Sequence, residues 1–302
     1  FNPADPGLHE ILGLIGFGTI AGAAVQINLL VNMVLATGEG PGAVSWLSYA
    51  FRVMYLPIGL FGVSIATATL PAISRQVAHE DLSEFRKTVS TAMRMMLVLN
   101  IPALIGLMVL AEPIIGLIFQ RGSFGPSDTT ATTAALLFYA PGLVGYSAVR
   151  IAIPCFYAMR NSLTPALVSL MSVALNITLN LILVQILGFR GLALGTSIAA
   201  LFNALVLVGL LHRRLHGVDL IRILKTGFKI TVAAAVMAVA VSIGHSWLVD
   251  SLPGTGLLAR VFQVFGSVLI GVAVLAASAR LLRISEWQDL ERQLVPGRNR
   301  IA

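Results

Sequence analysis

Arg52 is the residue best placed to do chemistry. It is the only charge between Ser45 and Ser74, in a run that reads Ser45-Trp46-Leu47-Ser48-Tyr49-Ala50-Phe51-Arg52 and stays apolar beyond it. A charge at the centre of a membrane helix costs roughly 2.5–3.5 kcal/mol on insertion scales, so it faces a wet cavity or a partner, or its stem snorkels to the nearer interface. Both readings are open for Arg52. In a cavity it would hold an anion, because a guanidinium stays charged and its planar fork fits phosphate or carboxylate oxygens. Pro57, five residues on, removes a backbone donor and bends the helix, which suits a gate beside a water-filled cavity. Arg150 is the second intramembrane arginine; snorkelling is its favoured reading, and joining Arg52 at the cavity the other. Asn176 and Asn180 share a helical face at i, i+4, and Thr196 could approach it. Interhelical hydrogen bonding explains these amides better than an ion site does, and Gln26, Asn28 and Asn32 likewise need partners inside a bundle.

These residues sit in a chain whose composition belongs to a membrane protein: 57% hydrophobic, 11% charged, mean hydropathy +0.90 over 302 residues. Soluble domains carry about 25% charged residues. Eight apolar runs are long enough to cross a bilayer as helices. They fall near 10–36, 44–74, 88–119, 129–157, 164–187, 191–212, 226–248 and 257–281. Backbone groups in lipid must be paired within the segment, so the expected fold is all-α and polytopic, with about eight transmembrane helices. It divides into 1–75, carrying the first two helices and the cavity arginine; 76–215, with the next four; 216–284, with the last two; and a basic tail, 285–302. Gly18-Thr19-Ile20-Ala21-Gly22 is a small-xxx-small pattern that permits close packing. Asp81-x-x-Glu84 marks a helix start ahead of the third span, and Asp128 can cap the fourth. The chain begins at Phe1 without a secretory leader and reads as the later part of a longer protein.

The net charge of +7 is spread through loops rather than gathered in a patch, which argues against nucleic acid. One set of alternate loops holds Arg75, Arg86, Lys87, Arg160, Arg213, Arg214, Arg222, Lys225 and the tail; the other holds only Arg121, Arg190 and Arg260. The positive-inside rule makes the first set, and the C-terminus, cytoplasmic. All thirteen acidic residues lie at span ends or in loops, Glu112 deepest. A membrane transferase would need a carboxylate pair, a His cluster or a metal site, and none is evident. Cys155 is the single cysteine and His79 has no ligand partner at metal spacing, so no cofactor or metal is expected.

Several ordered motifs resemble one family. They are the Ser45–Arg52 run, Leu56-Pro57-Ile58-Gly59-Leu60-Phe61-Gly62-Val63, Thr69-Leu70-Pro71, Phe119-Gln120-Arg121-Gly122-Ser123-Phe124, Phe156-Tyr157-Ala158 with Thr164-Pro165, and Gly191-Leu192-Ala193-Leu194-Gly195-Thr196-Ser197. With these the chain resembles the lipid II flippases of bacterial cell-wall synthesis, within the multidrug/oligosaccharidyl-lipid/polysaccharide exporter superfamily. The resemblance implies a fourteen-helix, two-lobe transporter of which this chain looks like helices seven to fourteen, in the bacterial cytoplasmic (inner) membrane. It implies a substrate, an undecaprenyl-pyrophosphate-linked disaccharide-pentapeptide, flipped by alternating access. The pyrophosphate would be held by cavity arginines, of which Arg52 matches the one from the second lobe. The others would lie in an N-terminal lobe outside this chain, and membrane lipids are the remaining partner. The last two helices would form a groove for the polyprenyl tail. Two departures stand out. Phe51 and Tyr55 replace acids that flank the arginine in many relatives. Asn32 and Asn180 replace acids of a sodium site that would include Asn176 and Thr196, which argues against sodium coupling. An exporter of another polyprenyl-linked saccharide, or of cationic drugs, is the alternative within the superfamily.

Overall fold

A computed structural model describes residues 6–294 apart from 216, 253 and 255. Twelve α-helices and one π-helical turn make up the described residues, with no strand among them. The order is α1 (Pro6–Thr37), α2 (Ala43–Pro57), the π turn (Ile58–Gly62), α3 (Val63–Ala78), α4 (Leu82–Val109), α5 (Ala111–Phe119) and α6 (Pro126–Tyr139). It continues with α7 (Gly142–Ala158), α8 (Leu163–Leu187), α9 (Phe189–Arg214), α10 (Leu220–Ser251), α11 (Leu257–Leu281) and α12 (Ser285–Leu294). By length and composition, six of these segments can cross a membrane, the bent α6–α7 pair makes a seventh, and α1 adds a shorter apolar stretch, Gly22–Thr37.

Proline accounts for the interruptions. Pro57 closes α2 without breaking the span: the chain passes through the π turn into α3, which keeps donors and acceptors paired where a plain helix would lose a bond. The expected third span, 88–119, is two helices. Pro113 has no N–H for the Val109 carbonyl, and the chain turns at Leu110 (φ −101, ψ 19). The expected fourth span is also two, bent by 47° between Tyr139 and Gly142, where Pro141 removes another donor.

Asp81 starts α4 by accepting the Glu84 N–H at 3.1 Å, and that bond holds its carboxyl below the usual carboxylate range. Phe85 and Val89 then bury, while Leu82 stays 45% exposed. Asp128, in the first turn of α6, accepts from the Gly125 N–H at 2.8 Å and from the Trp46 indole at 2.8 Å, tying α2 to α6. Gly188 joins α8 to α9 at φ 61, ψ −145, a conformation essentially confined to glycine, and a Cβ there would lie 2.8 Å from the Glu39 carboxylate.

Three apolar clusters hold the bundle. One joins α3, α4, α7 and α9 around Phe85, Phe156 and Leu207; one joins α2, α5, α6 and α7 around Met54, Ile115 and Leu143; one fixes α10 and α11 to α4 through Val98, Ile230 and Ala233. The segment expected as a hydrophilic tail begins with a helix: α12 carries Trp287 and Leu290 against the third cluster and pairs Glu286 with Arg94 of α4. Arg298 and Arg300 of the expected tail, and the Arg292 side chain, lie outside the described residues. Gly22 of the small-residue motif meets nothing within 4 Å.

Gly188→Val is expected to lower the unfolding midpoint in detergent, at a cost of about 1–3 kcal/mol from the forced backbone. Gly22→Ala, at an open helical position, should leave the midpoint unchanged or slightly raised.

Candidate functional site

A cavity of about 910 Å³ opens between α1, α2, α3, α7 and α9. Its walls are mostly apolar and aromatic. Phe51 is the hub, stacking on Tyr55 at 5.7 Å and meeting Tyr139 and Tyr146 edge-on at 5.5 and 6.0 Å. α2 presents Val44, Leu47, Ser48, Phe51 and Tyr55 to the cavity, the spacing of one helical stripe.

The cation on this wall is Arg150. An exposed residue, it donates to the Tyr55 hydroxyl and sits 6.0 Å from the centroid of the Tyr55 ring, a contact that ties it to α2. Arg52 is absent from the cavity wall. One position round the helix from Phe51, it lies on an exposed strip with Leu56 (59% exposed) and Leu60 (66%), its guanidinium 5.9 Å from the centroid of the Tyr49 ring. Two leucines this exposed mark a strip that faces lipid or other protein rather than bulk water. Pro57 is buried behind the cavity, at the start of the π turn.

Asn32, Asn176, Asn180 and Thr196 come together from α1, α8 and α9. The Asn180 amide donates to Asn176 at 3.1 Å and to Asn32; Asn32 donates to Asn176, and Asn176 to Thr196, both at 3.4 Å. Asn176 and Asn180 are buried. The Asn180 oxygen has no donor among the described residues and lies 2.0 Å from where a Gly195 Cβ would sit, so the close approach of α8 to α9 here requires glycine. Among the described residues no cluster of three His, Cys, Asp or Glu could hold a metal.

The family model described as "Lipid II flippase MurJ" matches residues 1–280. The chain belongs to the lipid II flippase family. It is 34% identical over 284 residues to a probable lipid II flippase of Vibrio cholerae, covering 93% of this chain and 53% of that protein. A probable lipid II flippase of Rickettsia prowazekii is 31% identical over 295 residues, covering 96% and 57%. Among solved structures, a lipid II flippase in an inward closed conformation matches with a TM-score of 0.69 at 26% identity, over 87% of this chain and 52% of that one. An outward-facing multidrug resistance transporter, itself of the MOP superfamily, matches with a TM-score of 0.61 at 14% identity, over 93% and 66%, a likeness of fold. The chain thus spans about half the length of the flippases it matches.

Within this family member, two polar links escaped the reading of the sequence. Asn100, fully buried in α4, donates to the Met96 carbonyl at 2.9 Å and accepts from Ser147 of α7 at 3.0 Å. An amide inside an apolar run was its signal, but nothing local named the partner 47 residues away. Half-buried Arg94 and buried Glu286, 192 residues apart, gave no signal as a pair. Tyr139 and Tyr146 were legible only as aromatics in a span.

Gly195→Ala is expected to destabilise the chain by about 1–3 kcal/mol, the usual range for an overfilled core site. Adding Asn180→Ala should recover part of that loss, because it removes the atom that the new methyl meets; a double-mutant cycle on detergent unfolding midpoints reads the coupling.

Proposed function

We propose that this chain provides the second half of a transporter that moves lipid II, the polyprenyl-pyrophosphate-linked peptidoglycan precursor, across the bacterial cytoplasmic membrane by alternating access. The observation that carries it is membership of the lipid II flippase family over residues 1–280, in a chain with an aromatic cavity of about 910 Å³. Recognition and translocation need no covalent step, and no enzymatic role is assigned.

In this reading two arginines serve the anionic headgroup. Arg150 offers its guanidinium from inside the cavity, oriented by the Tyr55 hydroxyl. Arg52 faces away from that cavity, on a strip whose apolar neighbours suit a protein cover, and its anion site is completed by the part of the relatives that lies outside this chain. Pyrophosphate suits both, since a fixed cation facing a partly dry cavity attracts an anion more strongly than in water and repels a cationic drug. The π turn after Pro57 supplies a deformable link between the cavity-lining halves of the α2–α3 span. The asparagine network serves as interhelical hydrogen bonding in place of a sodium site, because amides carry no charge to offset the ion. The basic loops, and the C-terminus with them, face the cytoplasm. The α10–α11 pair, with Val236, Val239, Phe265 and Leu269 exposed, offers an apolar surface for the polyprenyl tail.

The full-length gene, expressed in bacteria depleted of their own lipid II flippase, is expected to restore growth. Arg52→Ala at equal membrane abundance should fail, and Arg150→Ala should slow growth or fail. Lysis despite a well-expressed wild type would overturn the substrate assignment. Growth with Arg52→Ala would leave the substrate and remove that arginine from the essential site.

A further inference from the structure

A second, smaller pocket lies at the basic end of the bundle, where the first turns of α10, the α11–α12 turn and α4 meet. It holds about 270 Å³, well above the ~10–15 Å³ that one water needs. Five cations line it: Arg94, Arg222, Lys225, Lys229 and Arg283. One carboxylate lines it, Glu286, and that group is already engaged by Arg94 and by the Ser285 hydroxyl at 3.1 Å. Arg222 pairs with Asp219 at 3.0 Å, and Lys229 donates to the Leu282 carbonyl at 2.8 Å. Nearby Glu291 is taken by Arg280 at 2.8 Å. Lys229, Lys225 and Arg283 therefore have no acidic partner among the described residues, and the Arg94 Nε is buried without an acceptor. Arg283 itself is at φ 49, a left-handed conformation that a non-glycine residue rarely adopts.

The surroundings say what would neutralise these charges. Arg222, Lys225, Thr226 and Lys229 follow the i, i+3, i+4, i+7 spacing of one helical stripe, and on the flank of the same turns Ile221, Leu224 and Phe228 are 80%, 71% and 72% exposed. Leu281, one turn from the pocket on α11, is 84% exposed. A cationic stripe beside fully exposed apolar side chains at the same height is the pattern of the headgroup boundary of a bilayer.

We propose that this pocket binds the phosphate of an anionic membrane phospholipid, whose acyl chains start at Ile221, Leu224, Phe228 and Leu281, beside the pocket. The site is separate from the cavity around Arg150 and does not depend on which substrate that cavity carries. The bound lipid would tie α12 to α4 and α10 by charge, in addition to the Arg94–Glu286 pair.

The full-length protein in neutral detergent, titrated with dioleoylphosphatidylglycerol while its unfolding midpoint is followed, tests this directly. The midpoint should rise and saturate with that lipid. Dioleoylphosphatidylcholine, whose phosphate is internally neutralised, and inorganic phosphate at matched ionic strength should leave it flat. Lys225→Gln/Arg283→Gln should keep the lipid-free midpoint and need roughly thirty-fold more phosphatidylglycerol, from the loss of two interfacial cations. Where the double variant does not purify folded, Lys225→Gln alone should need roughly five-fold more. An unchanged titration in the variants would overturn the site; an equal response to phosphatidylcholine would make the effect a nonspecific lipid one. An equal response to inorganic phosphate would make the occupant a free anion and overturn the lipid assignment.

Discussion

Away from water, a polar group must find its partner within the protein, and that constraint organises this bundle. Apolar burial alone discriminates poorly among helix pairings when the surrounding solvent is as apolar as leucine. The specific links are polar and long in sequence: Asn100 to Ser147 joins α4 to α7, Tyr55 to Arg150 joins α2 to α7, and Asn32 to Asn176 and Asn180 joins α1 to α8. Glu286 to Arg94 then returns α12 to α4. Each costs desolvation that is offset only when both partners are present, so each fixes a register that methyl contacts would leave loose.

The same constraint explains why three prolines have three outcomes. Each removes one donor at membrane depth, and the freed carbonyl has to be accommodated. After Pro57 the chain widens into a π turn and the span continues; before Pro113 the helix stops at Leu110; around Pro141 two helices meet at 47°. Pro57 and Pro141 flank cavity-lining stripes, those of α2 with Phe51 and Tyr55 and of α6–α7 with Tyr139, Tyr146 and Arg150. Two of the three irregular stretches therefore adjoin helices that line the cavity.

Hydropathy made the spans legible, because apolar length is a one-dimensional property. It also exposed the asparagines of α8, since i, i+4 spacing is local, and the caps at Asp81 and Asp128. The azimuth of a single charge was not legible. Arg52 and Arg150 both read as arginines about two turns inside a span, with cavity and interface open for each and the interface favoured for Arg150. The stripe of Val44, Leu47, Phe51 and Tyr55 faces the cavity within this chain and puts Arg52 one residue, about 100°, off its axis. Arg94 and Glu286 were illegible for a different reason. Their pairing depends on α12 folding back, and a ten-residue segment rich in charge resembles a tail until Trp287 and Leu290 are seen to share an apolar face.

The two arginines enter from opposite ends of the membrane. Arg52 lies nine residues beyond Ala43, the first residue of α2, and Arg150 eight residues before Ala158, the last of α7. At 1.5 Å per residue these are about 13 and 12 Å from opposite ends of the bundle, in a hydrocarbon layer of about 30 Å. Arg150 has the cavity and the Tyr55 hydroxyl to offset its desolvation. Arg52 has the Tyr49 ring and two exposed leucines, which do not offset the few kcal/mol that lipid exposure costs at that depth. Its charge is stable there only beside an anion, a wet cleft or a covering protein surface. Relatives about twice as long as this chain have the additional length to supply such a cover.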